Sequence, residues 1–340
     1  MKDILVVDDN IASLKQIASF LAGSYGYSLV SSGREAISVC AQSLPDLILL
    51  DVKMPDMDGF ETLAALRKNP VLSDVPVIFL SSSRDNAVEV KSFRAGAMDF
   101  IKKPVERSIL LHRLELHLNI SAYQSALADS VKAMADNLAS SIAELIECRD
   151  EETGGHVVRT SRYVEMLGKE LMEKELFLNE LSGPALEMMV RAAPLHDIGK
   201  IAISDRILLK ADRLDDEEFA VMKKHASIGA EILENMYART PSQTYLRYAV
   251  MIAESHHEQW SGKGYPRGTA GEEIPLCARI MAVADVYDAL VSNRIYRRGM
   301  NAVEAFHIVM EGRGTQFDPR VVDAFRVCCL KFPGIDGQAG

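Results

Sequence analysis

Long apolar runs are missing from this chain: stretches such as Leu47 to Leu50 and Val77 to Leu80 are strand-sized, and none nears the roughly 20 residues of a bilayer-spanning helix. Membrane insertion is excluded on that reading. Cysteine is scarce, with five residues (Cys40, Cys148, Cys277, Cys328 and Cys329), an odd number without a C-x-x-C pair. This speaks against a disulfide framework and a thiolate zinc site, and points to a reducing compartment, the cytoplasm. The opening MKDILVVDDN places acids inside the first apolar run and has no small-residue cleavage site, so it does not read as a signal peptide. Positive charge is in deficit, 38 Lys and Arg against 48 Asp and Glu, a net charge of -10. Broad phosphate-backbone contact needs clustered cations, so no DNA-binding output is expected. What remains is a chain of 340 residues, 48% hydrophobic and 25% charged, enough for about two domains with real cores.

From residue 3 to about 104, short β-branched or Leu-rich runs alternate with helix-period stretches, the pattern of a parallel α/β sheet. Strands are predicted at Asp3–Val7, Tyr27–Val30, Leu47–Asp51, Val75–Leu80 and Ala97–Ile101, a doubly wound, flavodoxin-like fold with its sites at the carboxyl ends of the strands. Asp8 and Asp9 then end the first strand, Asp51 the third and Ser81 the fourth, with Lys103 after the fifth. Carboxylates crowded at one edge repel unless a hard divalent cation joins them, and oxygen-only ligands favour Mg²⁺. One carboxylate is then able to attack a phosphoryl donor, with the cation and Lys103 balancing the charge. With DD at 8 and 9, DVKMPDMDG from Asp51, Ser81, and Lys103 before Pro104, the segment resembles the receiver domain of two-component response regulators. The resemblance implies Asp51 as phosphoacceptor for a cognate sensor histidine kinase, and Asp8, Asp9, Asp51 and the Lys53 carbonyl around Mg²⁺. Ser81, Phe100 and Lys103 take the switch positions. The receiver is assigned to residues 1–120.

Residues 105–149 contain neither Pro nor Gly, so nothing interrupts a helix. Ile120, Tyr123, Leu127, Val131, Met134, Leu138, Ile142 and Leu145 follow spacings of 3, 4, 4, 3, 4, 4 and 3, an eleven-residue repeat that keeps a narrow seam nearly straight. A parallel helical pair joining two protomers, hence a homodimer, is expected. The alternative is that the seam packs on the chain's own second domain. His112 and His117 read as surface residues.

Five of the eight histidines fall between residues 150 and 290. With their neighbours they give Glu152 and His156 in ETGGH, His196 and Asp197 in HDIGK, His225 in KKHASIG, His256 and His257 in HHEQW, and Asp285 in ADVYDAL. A spacing of four puts Glu152 and His156 on one face if the stretch is helical. His196 and Asp197 follow the apolar run Met188 to Leu195, at a helix end that Gly199 opens. Imidazole and carboxylate ligands without thiolate suit iron, manganese or zinc, and eight candidates are too many for one ion. Two or three metals are implied, and adjacent metals about 3.5–4 Å apart bridge a hydroxide and clamp an in-line displacement at phosphorus.

Helix-rich patterning from Asp150 onward predicts an all-α domain over residues 150–340. HDIGKI, HHEQWSGKGYP and ADVYDALVSNRIYR resemble the HD-GYP family of HD-domain phosphodiesterases. The resemblance implies hydrolysis of cyclic di-GMP by a metal-dependent enzyme with those eight residues as ligands and Asp197 bridging. Lys200 falls at the scissile phosphate, and Arg294 and Arg297 hold substrate phosphates. Two alternatives stand beside it: a mixed cyclic GMP-AMP substrate, or a vestigial enzyme that docks signalling proteins through the GYP loop. The chain departs from the family pattern at Ser204, Ser261 and Ile295, none of them a ligand.

Overall fold

The computed structural model describes residues 1–82, 86–149, 155–210, 212–292 and 299–332. The chain divides into two compact units, Met1–Lys132 and Ala133–Gly340.

The first unit is built on β1 (Asp3–Val7), β2 (Gly26–Val30), β3 (Leu47–Asp51), β4 (Val77–Ser81) and β5 (Asp99–Lys102), all parallel in the order β2-β1-β3-β4-β5. β3 and β4 are buried along their whole lengths, which is why they read as unbroken apolar runs. Alternation along the strands sorts their side chains. Leu5, Val7, Ile48, Leu50, Val77 and Phe79 face α2 (Gly33–Gln42) and α3 (Gly59–Leu66). Ile4, Val6, Leu47, Leu49, Ile78 and Leu80 face α1 (Ile11–Leu21) and the start of α5 (Arg107–Arg149), through Leu14, Ile17, Leu110 and Leu114. α4 (Asn86–Arg94) precedes β5.

Three strand starts differ from expectation, and that of β2 falls one residue early, at Gly26. β4 begins at Val77 because Pro76 has no N–H to offer a ladder; its carbonyl accepts from the Ile48 amide at 2.9 Å instead. β5 begins at Asp99 because Gly96, with φ of 91°, turns the chain and Ala97 bonds back to the Ser92 carbonyl.

α5 is a single helix of 43 residues. Its seam is exposed from Tyr123, at 77%, to Leu145, at 68%, whereas Ala143 and Ile146 on a different face are buried. Within the second unit the seam residues Met134, Leu138, Ile142 and Leu145 are exposed. His117 is a correction. It is buried, with Nε2 2.8 Å from Asp99 Oδ2, and Arg113 donates to the other oxygen of that carboxylate. A buried acid at the start of β5 draws both partners from one helical face, one turn apart.

The second unit is helical: α6 (His156–Glu173), α7 (Gly183–Ala192), α8 (Asp205–Leu208), α9 (Asp216–Met222), α10 (Lys224–Arg239), α11 (Tyr245–Ser255), α12 (Leu276–Val291), α13 (Ala302–Glu311) and α14 (Pro319–Cys328). Among the described residues its β structure is one isolated bridge, Arg313 with Phe317. α12 is apolar on nearly all sides because it runs through the core, buried without a break from Leu276 to Ala284. Its one buried cation there, Arg279, is paired with buried Asp318 at 2.7 Å. Beyond Ala284 the same helix carries Asp285 and Asp288 out of the core and into the candidate site.

Candidate metal centre and acid cluster

Each described candidate ligand of the second unit stands at or near a helix terminus, apart from Asp285 within α12. α7 stops at Ala192, and a tight turn through Pro194 delivers His196 and Asp197. A second tight turn, Ile198–Ala202, carries Lys200. Gly199 is what lets α10 approach: a Cβ there would sit 1.9 Å from the His225 carbonyl oxygen, so any side chain would push His225 away. His225 lies in the first turn of α10, His256 and His257 follow the end of α11, and His156 opens α6 behind Gly155 at φ 95°.

These residues gather into two adjoining groups. The ligand atoms of Asp197, His225, His256 and His257 lie within 4.8 Å of one another, as do those of His156, His196 and Asp285. Asp197 spans both. Its Oδ1 is 3.2 Å from His225 Nε2 and 3.5 Å from His256 Nε2, and its Oδ2 is 3.4 Å from His196 Nε2 and 2.8 Å from Lys200 Nζ. Asp285 Oδ1 stands 3.6 Å from His156 Nε2 and 3.8 Å from His196 Nε2.

The outer ring nitrogens fix the tautomers. Nδ1 of His196, His225 and His256 donates to the carbonyls of Ala193 (3.0 Å), Met222 (2.7 Å) and Ile252 (3.0 Å). A carbonyl only accepts, so each neutral ring keeps its lone pair on the inward Nε2. His156 Nδ1 donates to Asp288 at 2.8 Å, and Asp288 also receives Arg159 through two bonds of 2.7 and 2.9 Å. Nε2 of His196, His225 and His256, and Oδ1 of Asp197, are buried with no hydrogen-bond partner. Orphaned lone pairs that converge on one space are costly without a cation, and the imidazole and carboxylate donors suit a transition metal.

Charge follows the same layout. Burial opposes ionisation of Asp197, yet Lys200 and His196 hold its carboxyl well below the usual range. Burial keeps His256 and His257 below the ordinary histidine value, in the neutral form a metal needs. His196, despite its burial, is raised to about 9 by Asp197 and Asp285. Glu152, Arg294 and Arg297 lie outside the described residues, as does Ile295. Asp288, Arg159 and Glu147 went unnoticed in the sequence. Glu147 is buried with Oε1 3.8 Å from His156 Nε2. The available signal for Asp288 was its place one helical turn beyond Asp285.

In the first unit, oxygens of Asp8, Asp9 and Asp51 lie within 4.8 Å of one another at the sheet edge. Lys103 Nζ donates to both Asp8 and Asp51 at 2.7 Å, and Ser13 donates to Asp8 at 2.5 Å. Burial raises the Asp51 carboxyl, and Lys103 offsets this only in part. Lys103 is itself raised: burial opposes its charge, but Asp51 and Asp8 hold the proton on. Ser81 ends β4 and Phe100 is the second residue of β5, and both are buried.

Known proteins place both halves. The response regulator receiver domain profile matches residues 4–115, and the HD domain profile matches residues 140–321. A probable cyclic di-GMP phosphodiesterase of Vibrio cholerae is 39% identical over 95% of this chain and 77% of its own length. The cyclic di-GMP phosphodiesterase response regulator RpfG of Xanthomonas campestris is 35% identical over 95% of this chain and 86% of its own. A 3'3'-cGAMP-specific phosphodiesterase of Vibrio cholerae is 37% identical over 57% of this chain and 34% of its own. The chain belongs to the response regulators that join an N-terminal receiver domain to a C-terminal, metal-dependent HD-GYP phosphodiesterase domain.

Proposed function

We propose that this chain hydrolyses cyclic di-GMP under the control of Asp51 phosphorylation. The observation that carries the reading is the convergence of unpartnered Nε2 and Oδ1 atoms about Asp197. His225, His256, His257 and Asp197 would hold one ion, and His156, His196 and Asp285 with the other Asp197 oxygen a second. Iron or manganese fits these donors best, with zinc as the other option. When bound, adjacent ions supply an activated water and neutralise charge at phosphorus. Lys200, at the edge of both groups, pairs with a non-bridging phosphoryl oxygen, and Arg294 and Arg297 hold the substrate phosphates. Glu152 recruits a third ion beside His156. Adding water across one P–O bond opens the ring and leaves a linear dinucleotide with a new terminal phosphate. A third ion held by Glu152 would offset that added charge, and a second cut would release GMP.

In the receiver, a sensor histidine kinase supplies the phosphoryl group and Asp8, Asp9, Asp51 and the Lys53 carbonyl hold Mg²⁺. The exposed seam of α5 pairs with that of a second copy, which gives phosphorylation a helix on which to act. The GYP loop is also a place for signalling proteins to dock. None of the described helices is long and apolar enough to cross a membrane, and the protein acts in the cytoplasm.

The test is purified full-length protein incubated with Mn²⁺ or Fe²⁺ and either cyclic di-GMP or 3'3'-cGAMP, with products separated by chromatography. Preferential loss of cyclic di-GMP supports the reading. Preferential loss of the mixed dinucleotide favours the second substrate, to which the 3'3'-cGAMP-specific relative points.

A further inference from the structure

Three of the clustered imidazoles are aimed by an Nδ1 hydrogen bond to a main-chain carbonyl, and His156 by Asp288. His257 is the exception. Among the described residues its ring makes no hydrogen bond, and three rings lie against it: His256 at 4.0 Å and 42°, Tyr265 at 4.7 Å and 31°, and His225 at 5.0 Å and 89°, of which Tyr265 alone is not itself a candidate ligand. The GKGYP loop is fastened to the histidine segment to produce that contact. The Tyr265 amide donates to the His257 carbonyl at 3.3 Å. Gly264 lies so close that a Cβ there would stand 2.5 Å from the His257 carbonyl oxygen and 2.3 Å from the Gln259 nitrogen. Buried Glu258, the next residue after His257, accepts from the Arg267 amide at 2.7 Å, the Gly268 amide at 3.1 Å and the Thr269 hydroxyl at 3.4 Å. The tyrosine ring also makes an edge-to-face contact with Phe219, centroids 6.3 Å apart, and Lys223 Nζ stands 4.5 Å from the Phe219 ring centre and 5.6 Å from that of Tyr265.

From this arrangement we propose that the GYP loop is the orienting device of the metal centre. Tyr265 is a positioning residue that sets the plane of His257 toward Asp197 by ring contact, where its neighbours use hydrogen bonds. Glu258 and Gly264 hold the loop at the required distance, and the Phe219 and Lys223 contacts steady the ring. The inference rests on the reading of His257 as a metal ligand. It assigns the ring of Tyr265, rather than its hydroxyl, the work of the motif, and a partner docking at the loop would then act on His257 through that ring.

Metal titration of the full chain separates these roles. The stripped protein is titrated with Co²⁺ alone, followed by its visible absorption and by competition with a chelator, while thermal unfolding confirms that each variant is folded. Tyr265→Ala is expected to weaken binding of one ion by about 10–100-fold, the usual range for partners that orient a ligand. Tyr265→Phe, which keeps the ring, should bind Co²⁺ close to the parent. In a His257→Ala background, Tyr265→Ala should cause no further loss, because the residue it acts through is gone. Should the alanine variant fail to fold, Tyr265→Leu fills the space without a ring and carries the same expectation. Parental affinity in the ringless variant, or an equal loss with and without His257, overturns the proposal while leaving the metal site standing. Parental affinity in His257→Ala alone removes the ligand reading, and the proposal with it.

Discussion

Lys200 Nζ donates to Asp197 Oδ2 at 2.8 Å, while Oδ1 of the same carboxylate faces the Nε2 atoms of His225 and His256. One side chain thus joins a cation suited to phosphate with two nitrogens suited to metal, and its own ionisation is secured by Lys200 and His196 against burial. Lys200→Ala is expected to lower kcat by about 10²–10³-fold, the usual loss when a donor to transition-state charge is removed. Metal analysis of the purified variant should still find ions bound, since the ligands stay in place. Turnover at the parental rate contradicts the role given to Lys200.

Phosphorylation at Asp51 should change the phosphodiesterase rate. Beryllium fluoride with Mg²⁺, or acetyl phosphate, is expected to alter turnover by the parent and to leave Asp51→Asn unaffected. Equal responses in the two proteins would remove the receiver from control of the enzyme.

The seam of α5 makes a sharper demand. Val131 and Leu138 are 60% and 53% exposed, so charges placed there cost the single chain little. Val131→Glu with Leu138→Glu should run as a monomer in light scattering, where the parent runs at twice the chain mass. A parent that is already monomeric at micromolar concentration contradicts the paired helix.

Asp99 links stability to pH. Burial alone would raise its carboxyl, but His117 and Arg113 hold it below the ordinary value. A depressed folded pKa contributes stability that is present above the unfolded value of about 3.9 and is lost as pH falls through the folded one. Asp99→Asn should therefore weaken the receiver by about 1.5–3 kcal/mol at pH 7, the range for hydrogen bonds to charged groups. The difference should shrink below about pH 4. Pulse proteolysis of the full chain in urea, reading receiver peptides by mass spectrometry, measures both.

Much of this was legible in the residues because the signals were local. Strand-end acids, an unbroken eleven-residue seam and histidines beside carboxylates all follow from adjacency along the chain. Asp288 and Arg159, 129 positions apart, meet only because α6 packs beside α12, and nothing in either segment announces the pairing. His117 was misread for the same reason: its partner Asp99 is on a strand, and helical spacing alone cannot show which side of α5 faces it. The starts of β4 and β5 were set by single residues, Pro76 and Gly96, whose backbone limits outweigh a β-branched or apolar neighbour.

The measurement closest to the heart of the matter is cyclic di-GMP turnover by Asp197→Ala, paired with metal content on the same preparations. Among the described residues Asp197 reaches both ligand groups, so its loss should disturb two ions at once. The expected result is a parent that consumes cyclic di-GMP and a folded variant that carries fewer ions and reacts at least about 100-fold more slowly. A folded Asp197→Ala protein with parental metal content and parental turnover would contradict the shared metal centre outright.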